Sequence, residues 1–201
     1  MFVITADQRA STRTGEHVDE LAERLRPWFR RWAGHVALPL ERTVGDEVQT
    51  VLTSADAALD LSLTLLRAMD WSVGVGAGAV DEPLGESARA SSGAAFVAAR
   101  KAVEQAKLKS EPVPLVVVGS HAGASEAATA VAQLLGALVR RRSDAGWEVA
   151  DLLEDGVTQR EVAAKLGVSD QAVSQRVASA MIDEERRARP VAIRLIDAAG
   201  R

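Results

Sequence analysis

The sequence contains no cysteine, which excludes a disulfide framework and a thiolate metal site alike. His17, His35 and His121 are scattered and share no helix face at ligand spacing, so an imidazole-based zinc site is not expected. No serine and histidine combine in a nucleophile elbow, so a hydrolytic triad is not expected either. Aromatic residues amount to 3%; with alanine abundant, the helices are expected to pack closely through small side chains. No stretch of about 18 apolar residues stands out, and Met1-Phe2-Val3-Ile4-Thr5-Ala6-Asp7 has no basic region ahead of a long apolar run. A cytoplasmic location without a membrane is the expectation. Charge of one sign is not in large excess: the net charge is −4 with 47% apolar residues, which argues against disorder and against a broad coat of nucleic acid. Any DNA binding should be local. A chain of 201 residues suffices for one core of ordinary size and a small helical module.

The most informative stretch runs from Thr158 to Val177. Thr158 and Glu161 form a capping box, in which hydroxyl and carboxylate satisfy reciprocal backbone donors at a helix start. Val162, Ala163 and Leu166 make a narrow apolar stripe, Gly167 supplies the left-handed residue that stops a helix, and Val168 plugs the turn. Ser169 caps a second helix whose Val173 and Val177 face the first. Small Ala163 permits a close crossing, as in a helix-turn-helix. Ser169, Asp170, Gln171, Ser174, Gln175 and Arg176 then form the candidate DNA-binding set. Glutamine can bond adenine in bidentate fashion and serine reads several bases, while Arg176 lies nearer the phosphate side. Arg160, Lys165 and Arg176 stand against Glu161 and Asp170, so the local phosphate footprint is weak. Arg140-Arg141-Arg142 and Arg186-Arg187-Ala188-Arg189 flank the motif as candidate phosphate contacts or as solvated helix ends.

Upstream, Phe2 to Thr5 reads as a buried strand ending at Asp7, followed by a loop. From Glu16, Val18, Leu21, Leu25, Trp28, Phe29 and Trp32 follow helical spacing, with Pro27 expected to kink or divide the helix. Val36 to Leu52 reads as a hairpin with Gly45-Asp46-Glu47 at its tip. Ser54 caps a second, strongly apolar helix. Ser72 to Val80 is a strand with Gly74, Gly76 and Gly78 along one face, leaving room for another backbone or for a ligand. Gly93 to Leu108 is helical, and Leu115 to Val118 is a last strand. This order fits an antiparallel or mixed sheet with helices on one face, an α+β fold. The expected division is an α+β domain over 1–119 and an all-α domain over 120–201. In the latter, Ala178 to Ala188 extends the second motif helix, Pro190 interrupts it, and Val191 to Ile196 is an apolar tail available to a partner chain.

Asp7 at a strand end and Asp46 in the hairpin tip come together if that strand pairs beside the hairpin. Two carboxylates, with Glu47 adjacent, suit one or two magnesium ions. Ala6-Asp7-Gln8-Arg9-Ala10-Ser11-Thr12, Val44-Gly45-Asp46-Glu47-Val48 and Val73-Gly74-Val75-Gly76 resemble, in order and spacing, the core of class III nucleotidyl cyclases. The resemblance implies a ferredoxin-like, cyclase-like sheet, metal ligation by Asp7 and Asp46, and nucleotide contacts at Ser11, Thr12 and Arg100. Gly93 to Arg100 resembles the family's helix with a catalytic asparagine and arginine: Arg100 matches the arginine, and Phe96 stands where the asparagine is expected. With the terminal helix-turn-helix, most of the chain resembles the SatD-like proteins, a bacterial family.

The leading expectation is a sequence-specific regulator of transcription that binds double-stranded DNA as a homodimer. Its cyclase-like domain would serve as a catalytically degenerate sensor of a nucleotide with Mg2+, or as a dimerisation unit. The alternative is a metal-dependent nucleotidyl cyclase or related phosphoryl-transfer enzyme using Asp7, Asp46 and Arg100. A third reading makes the first domain a dimer scaffold with neither ligand nor chemistry.

Overall fold

The computed structural model describes residues 1–9, 17–68 and 71–201. Strand β1 (Phe2–Gln8) alternates between two buried faces. Phe2, Ile4 and Ala6 join one apolar cluster and Val3 joins another. A strand apolar on both sides must be covered on both, and β1 is the middle strand of a 5-stranded sheet. Helix α1 (Val18–Arg31) leads to β2 (Val36–Arg42) and β3 (Glu47–Leu52), joined through Gly45 at φ 60. Helix α2 (Ala55–Arg67), capped by Ser54, precedes β4 (Trp71–Ala77), α3 (Ala94–Ala106) and β5 (Leu115–Val118). The strand order is β2-β3-β1-β4-β5, antiparallel except for the parallel pair β4 and β5. The fold is α+β with a mixed sheet.

Helices cover both faces, not one as the element order suggested. On one face, α1 and α2 share a core with Phe2, Ile4, Val73 and Val75. On the other, α3 lies directly against the glycine side of β4. A Cβ on Gly74 would sit 2.3 Å from the Val103 nitrogen, and one on Gly76 would sit 2.1 Å from the Ala95 carbonyl oxygen. The bare face therefore serves backbone-to-backbone packing, completed by buried Ala95, Ala99, Ala102 and Ala106. No ligand occupies that space, because a helix does.

After β5 come α4 (Ala122–Arg141), α5 (Asp144–Glu154), α6 (Gln159–Leu166), α7 (Asp170–Ser179) and α8 (Ile182–Ala199). By length and mean hydropathy (1.3), α4 is a helix that could cross a membrane. Here it lies on the sheet, with Ala128, Ala132, Leu135 and Val139 in the main core. Ala192, Ile196 and Ala199 of α8 enter the same core, so the sheet domain draws residues from both sides of position 119. A separate small cluster is formed by Val149, Val162, Ala163, Val173, Val177, Ala180 and Ile182.

Three local expectations change accordingly. Pro27 and Pro190 lie inside α1 and α8 without ending them. The second motif helix stops at Ser179, and Met181 at φ 52 redirects the chain into α8. After Pro190, Ala192 and Ile196 enter the protein's own core and Ile193 and Leu195 pack against it, while Val191 stays exposed.

Both sheet borders are modified. On β5, the Val117 N–H donates to Thr129 Oγ1 (3.0 Å), Gln133 Nε2 donates to the Leu115 carbonyl (3.1 Å), and the Gly119 N–H donates to Ser125 Oγ (2.9 Å). On β2, Pro39 removes a donor and the register shifts twice.

Candidate functional site

The helix pair α6 and α7 is built as its residues dictate. The Thr158 hydroxyl accepts from the Glu161 N–H and the Glu161 carboxylate accepts from the Thr158 N–H, closing the capping box. The Thr158 hydroxyl also donates to the Glu161 carboxylate at 2.7 Å, and this bond, with the one from the Thr158 N–H, holds the Glu161 carboxyl below the usual carboxylate range. Gly167 ends α6 in the left-handed conformation (φ 65), and Ser169 Oγ accepts from the Ala172 N–H to start α7. Val162, Ala163, Val173 and Val177 are buried between the helices, against Val149 of α5.

Ser169, Asp170, Gln171, Ser174 and Gln175 are exposed on α7 or at its cap, while Arg176 is half-buried. Gln171 and Gln175 make no hydrogen bond within the described residues, so both amides are free for an outside partner. Ser174 Oγ is 3.3 Å from Gln159 Oε1 on α6, which ties the two helices together at the surface. Arg176 is paired with Glu148 of α5 at 3.2 Å. That pairing takes Arg176 away from the phosphate role assigned to it unless Glu148 releases it. Asp170 places a carboxylate in the first turn of α7, favourable for the helix and repulsive toward phosphate.

The flanking arginines divide. Arg142 and Arg189 are internal, bound to Glu185 at 2.5 and 3.0 Å, and Arg189 also reaches Asp60 at 2.7 Å. Arg186 donates to the Leu153 carbonyl at 3.4 Å. Arg141 and Arg187 are exposed and, among the described residues, without a partner. Arg142, Arg186 and Arg189 therefore help hold the protein together, while Arg140 makes no hydrogen bond or ion pair among the described residues.

At the other candidate site, β1 pairs with β3 so that Asp7 lies opposite Glu47, one residue from Asp46. The sheet does bring this acidic tip to Asp7. Burial pushes the Asp7 carboxyl above its ordinary range, the Lys107 ammonium partly offsets this, and the charges of Asp46 and Glu47 add to the rise. Lys107 Nζ lies 2.7 Å from Asp7 Oδ2 and 3.1 Å from Glu104 Oε1. Burial opposes the charge on Lys107, but its bonds to these two carboxylates outweigh that and hold it above the ordinary lysine range. Glu47 accepts from Thr43 Oγ1 at 2.6 Å. Among the described residues no three Asp, Glu, His or Cys side chains are grouped so as to hold a metal. With an ammonium on Asp7 and a hydroxyl on Glu47, these side chains as placed do not fit a magnesium ion. The arrangement is an ion pair at the end of a strand.

Arg100 is on the exposed side of α3, and Phe96 packs into the apolar cluster with Val3 and Leu38. Ser11 and Thr12 lie outside the described residues. Sequence reasoning missed Lys107. One turn beyond Val103 on the buried face of a helix already recognised, it was placed by the spacing to emerge at the sheet's end.

Lys107→Met is expected to lower stability by about 1 kcal/mol at neutral pH, because Asp7 then carries an uncompensated charge. Since burial holds the folded-state pKa of Asp7 above the ordinary aspartate value, its contribution favours folding in acid and is lost as pH rises through the folded pKa. The deficit of the variant should therefore shrink as the pH falls to the ordinary carboxylate range. Urea midpoints at neutral and acid pH check this; an unchanged deficit would remove charge as its cause.

Comparison with protein-family models, with curated proteins and with solved structures returned no match.

Proposed function

We propose that this chain is a sequence-specific DNA-binding regulator that inserts α7 of a helix-turn-helix into the major groove. The observation that carries the proposal is the pair of unpartnered amides, Gln171 and Gln175, displayed at the exposed side of a short helix capped at its start by Ser169. Free amides on a rigid helix are positioned to bond adenine edges at little ordering cost. Ser169 and Ser174 add hydroxyls, and exposed Arg141, Arg160, Lys165 and Arg187 supply positive charge for the backbone.

The α+β body supports the finer fold reading through its strand order. The β1-α1-β2-β3-α2-β4 path with β4 beside β1 is the arrangement expected of a ferredoxin-like, cyclase-like core. In this reading the body is a platform or dimerisation unit, and a cytoplasmic homodimer presents two copies of α7 to two half-sites. Lys107 on Asp7 and the apolar packing of Phe96 favour a non-catalytic body over a phosphoryl-transfer enzyme.

Selection of bound fragments from a random DNA library at physiological salt tests the proposal. The expected result is an enriched inverted repeat with half-sites about one helical turn apart. Gln171→Ala with Gln175→Ala should erase preference at the contacted bases, at a cost of about 1–3 kcal/mol per lost pair, while weak nonspecific binding persists. Enrichment that is unaltered in this variant would refute α7 as the reading helix.

A further inference from the structure

A cleft of about 430 Å³ lies where the C-terminal end of α4 and the start of α5 meet α1 and α2, lined by Arg24, Arg67, Arg140 and Arg142 around Trp147. Four guanidinium groups in one cleft call for an accounting of their partners. Arg67 is fully engaged, making two bonds to Asp151 at 2.7 and 2.8 Å. Arg142 bonds Glu185 at 2.5 Å and the Ala180 carbonyl at 3.0 Å. Both also stack on Trp147, at 3.8 and 4.4 Å from the ring centroid. The two remaining guanidiniums are not engaged.

Arg24 and Arg140 make no ion pair or hydrogen bond within the described residues, and Arg140 Nε is buried with no acceptor. The cleft's acids do not supply one. Asp151 belongs to Arg67, Glu148 is held by Arg176 at 3.2 Å, and Asp144 sits in the first turn of α5. Arg9 lies near enough to Arg140 for its charge, together with burial, to pull the Arg140 pKa down. A shielded N–H with no acceptor is costly, and a second guanidinium nearby makes it more so. An anion in the cleft, bonded by the other nitrogens of Arg140, would offset the repulsion between the two guanidiniums.

We propose that this cleft is a binding site for a small phosphorylated ligand, its phosphoryl oxygens bonded by Arg140 and Arg24. Guanidinium forks match phosphate oxygens in geometry as well as charge. The volume suits a compact di- or triphosphate group, and the indole is already stacked by the protein's own arginines, so recognition falls on the phosphate rather than on an aromatic base. The site is distinct from Asp7 and from the exposed face of α7. It adjoins the contact between the sheet body and the small helical cluster, so its occupancy would bear on how the two are held. The inference does not depend on DNA binding.

Isothermal titration of the full chain with inorganic pyrophosphate tests it. The expected result is saturable binding, weakened about tenfold or more by Arg140→Gln and left unchanged by Arg194→Gln on the exposed side of α8. Far-UV circular dichroism checks folding; should Arg140→Gln fail to fold, exposed Arg24→Gln carries the same comparison. Absence of pyrophosphate binding, or equal binding by parent and cleft variants, overturns the proposal. So does a duplex DNA affinity that depends on Arg140 when pyrophosphate affinity does not, which would assign the residue to a DNA phosphate instead.

Discussion

Gly76→Ala is expected to cost about 4 kcal/mol or more, a large part of the stability of a domain this size. Its added Cβ would lie 2.1 Å from the Ala95 oxygen, 2.3 Å from the Ala99 nitrogen and 2.8 Å from Ala99 Cα. All three are backbone atoms, so no side chain can rotate to make space. Inserting a methylene among flexible side chains typically costs about 1–3 kcal/mol; here the whole of α3 must withdraw from β4. That movement would open contacts made by Ala95, Ala99, Ala102 and Val103 together. Gly123→Ala is the contrasting variant. Its Cβ would meet nothing within 4 Å in α4, and it should raise stability by about 0.5 kcal/mol through helix propensity. Urea unfolding of both variants reads the difference. A Gly76→Ala protein as stable as the parent would mean that α3 does not touch β4 through its backbone.

Glu185→Ala is expected to cost about 3–5 kcal/mol, the range for removing one member of a buried charge network. Glu185 lies between Arg142, whose side chain is 3% exposed, and Arg189. Arg189 continues to Asp60, which also accepts from Trp28 Nε1 at 2.8 Å and Trp32 Nε1 at 3.1 Å. Burial opposes the charge on Arg189, but Asp60 and Glu185 outweigh it and hold its pKa above the ordinary arginine value. Truncation at Glu185 leaves the buried Arg142 guanidinium without a carboxylate and Arg189 with Asp60 alone. Arg142→Met combined with Glu185→Leu should recover much of the loss, because the apolar pair removes both desolvation costs. A double-mutant cycle by chemical denaturation measures the coupling, and a near-zero coupling energy would show the network to be energetically idle.

The helix pair was legible because its determinants are local. Thr158, Glu161, Gly167 and Ser169 act within a few residues of themselves, and Val162, Val173 and Val177 repeat at helical spacing. The strands and the hairpin through Gly45 were legible for the same reason. Pro190 misled because a local rule weighs one lost hydrogen bond, about 3 kcal/mol, without the burial of Ala192, Ile196 and Ala199 beyond it. Arg142 read as a candidate phosphate contact because its acidic partner lies 43 residues away. Likewise, the glycine face of β4 announced a close neighbour but not which one. That α3 would cross to the far side of the sheet is settled only when all the elements compete for the two faces.

The two modified borders of the sheet have a consequence for assembly. Thr129, Gln133 and Ser125 saturate β5 from the side, and Pro39 with two register shifts spoils β2 as a template. Neither rim offers the row of open backbone groups that lets one sheet grow into another, which also guards against rim-to-rim aggregation. In the homodimer proposed above, the gap between the two α7 helices would then be fixed by side-chain packing rather than by a ladder of backbone bonds.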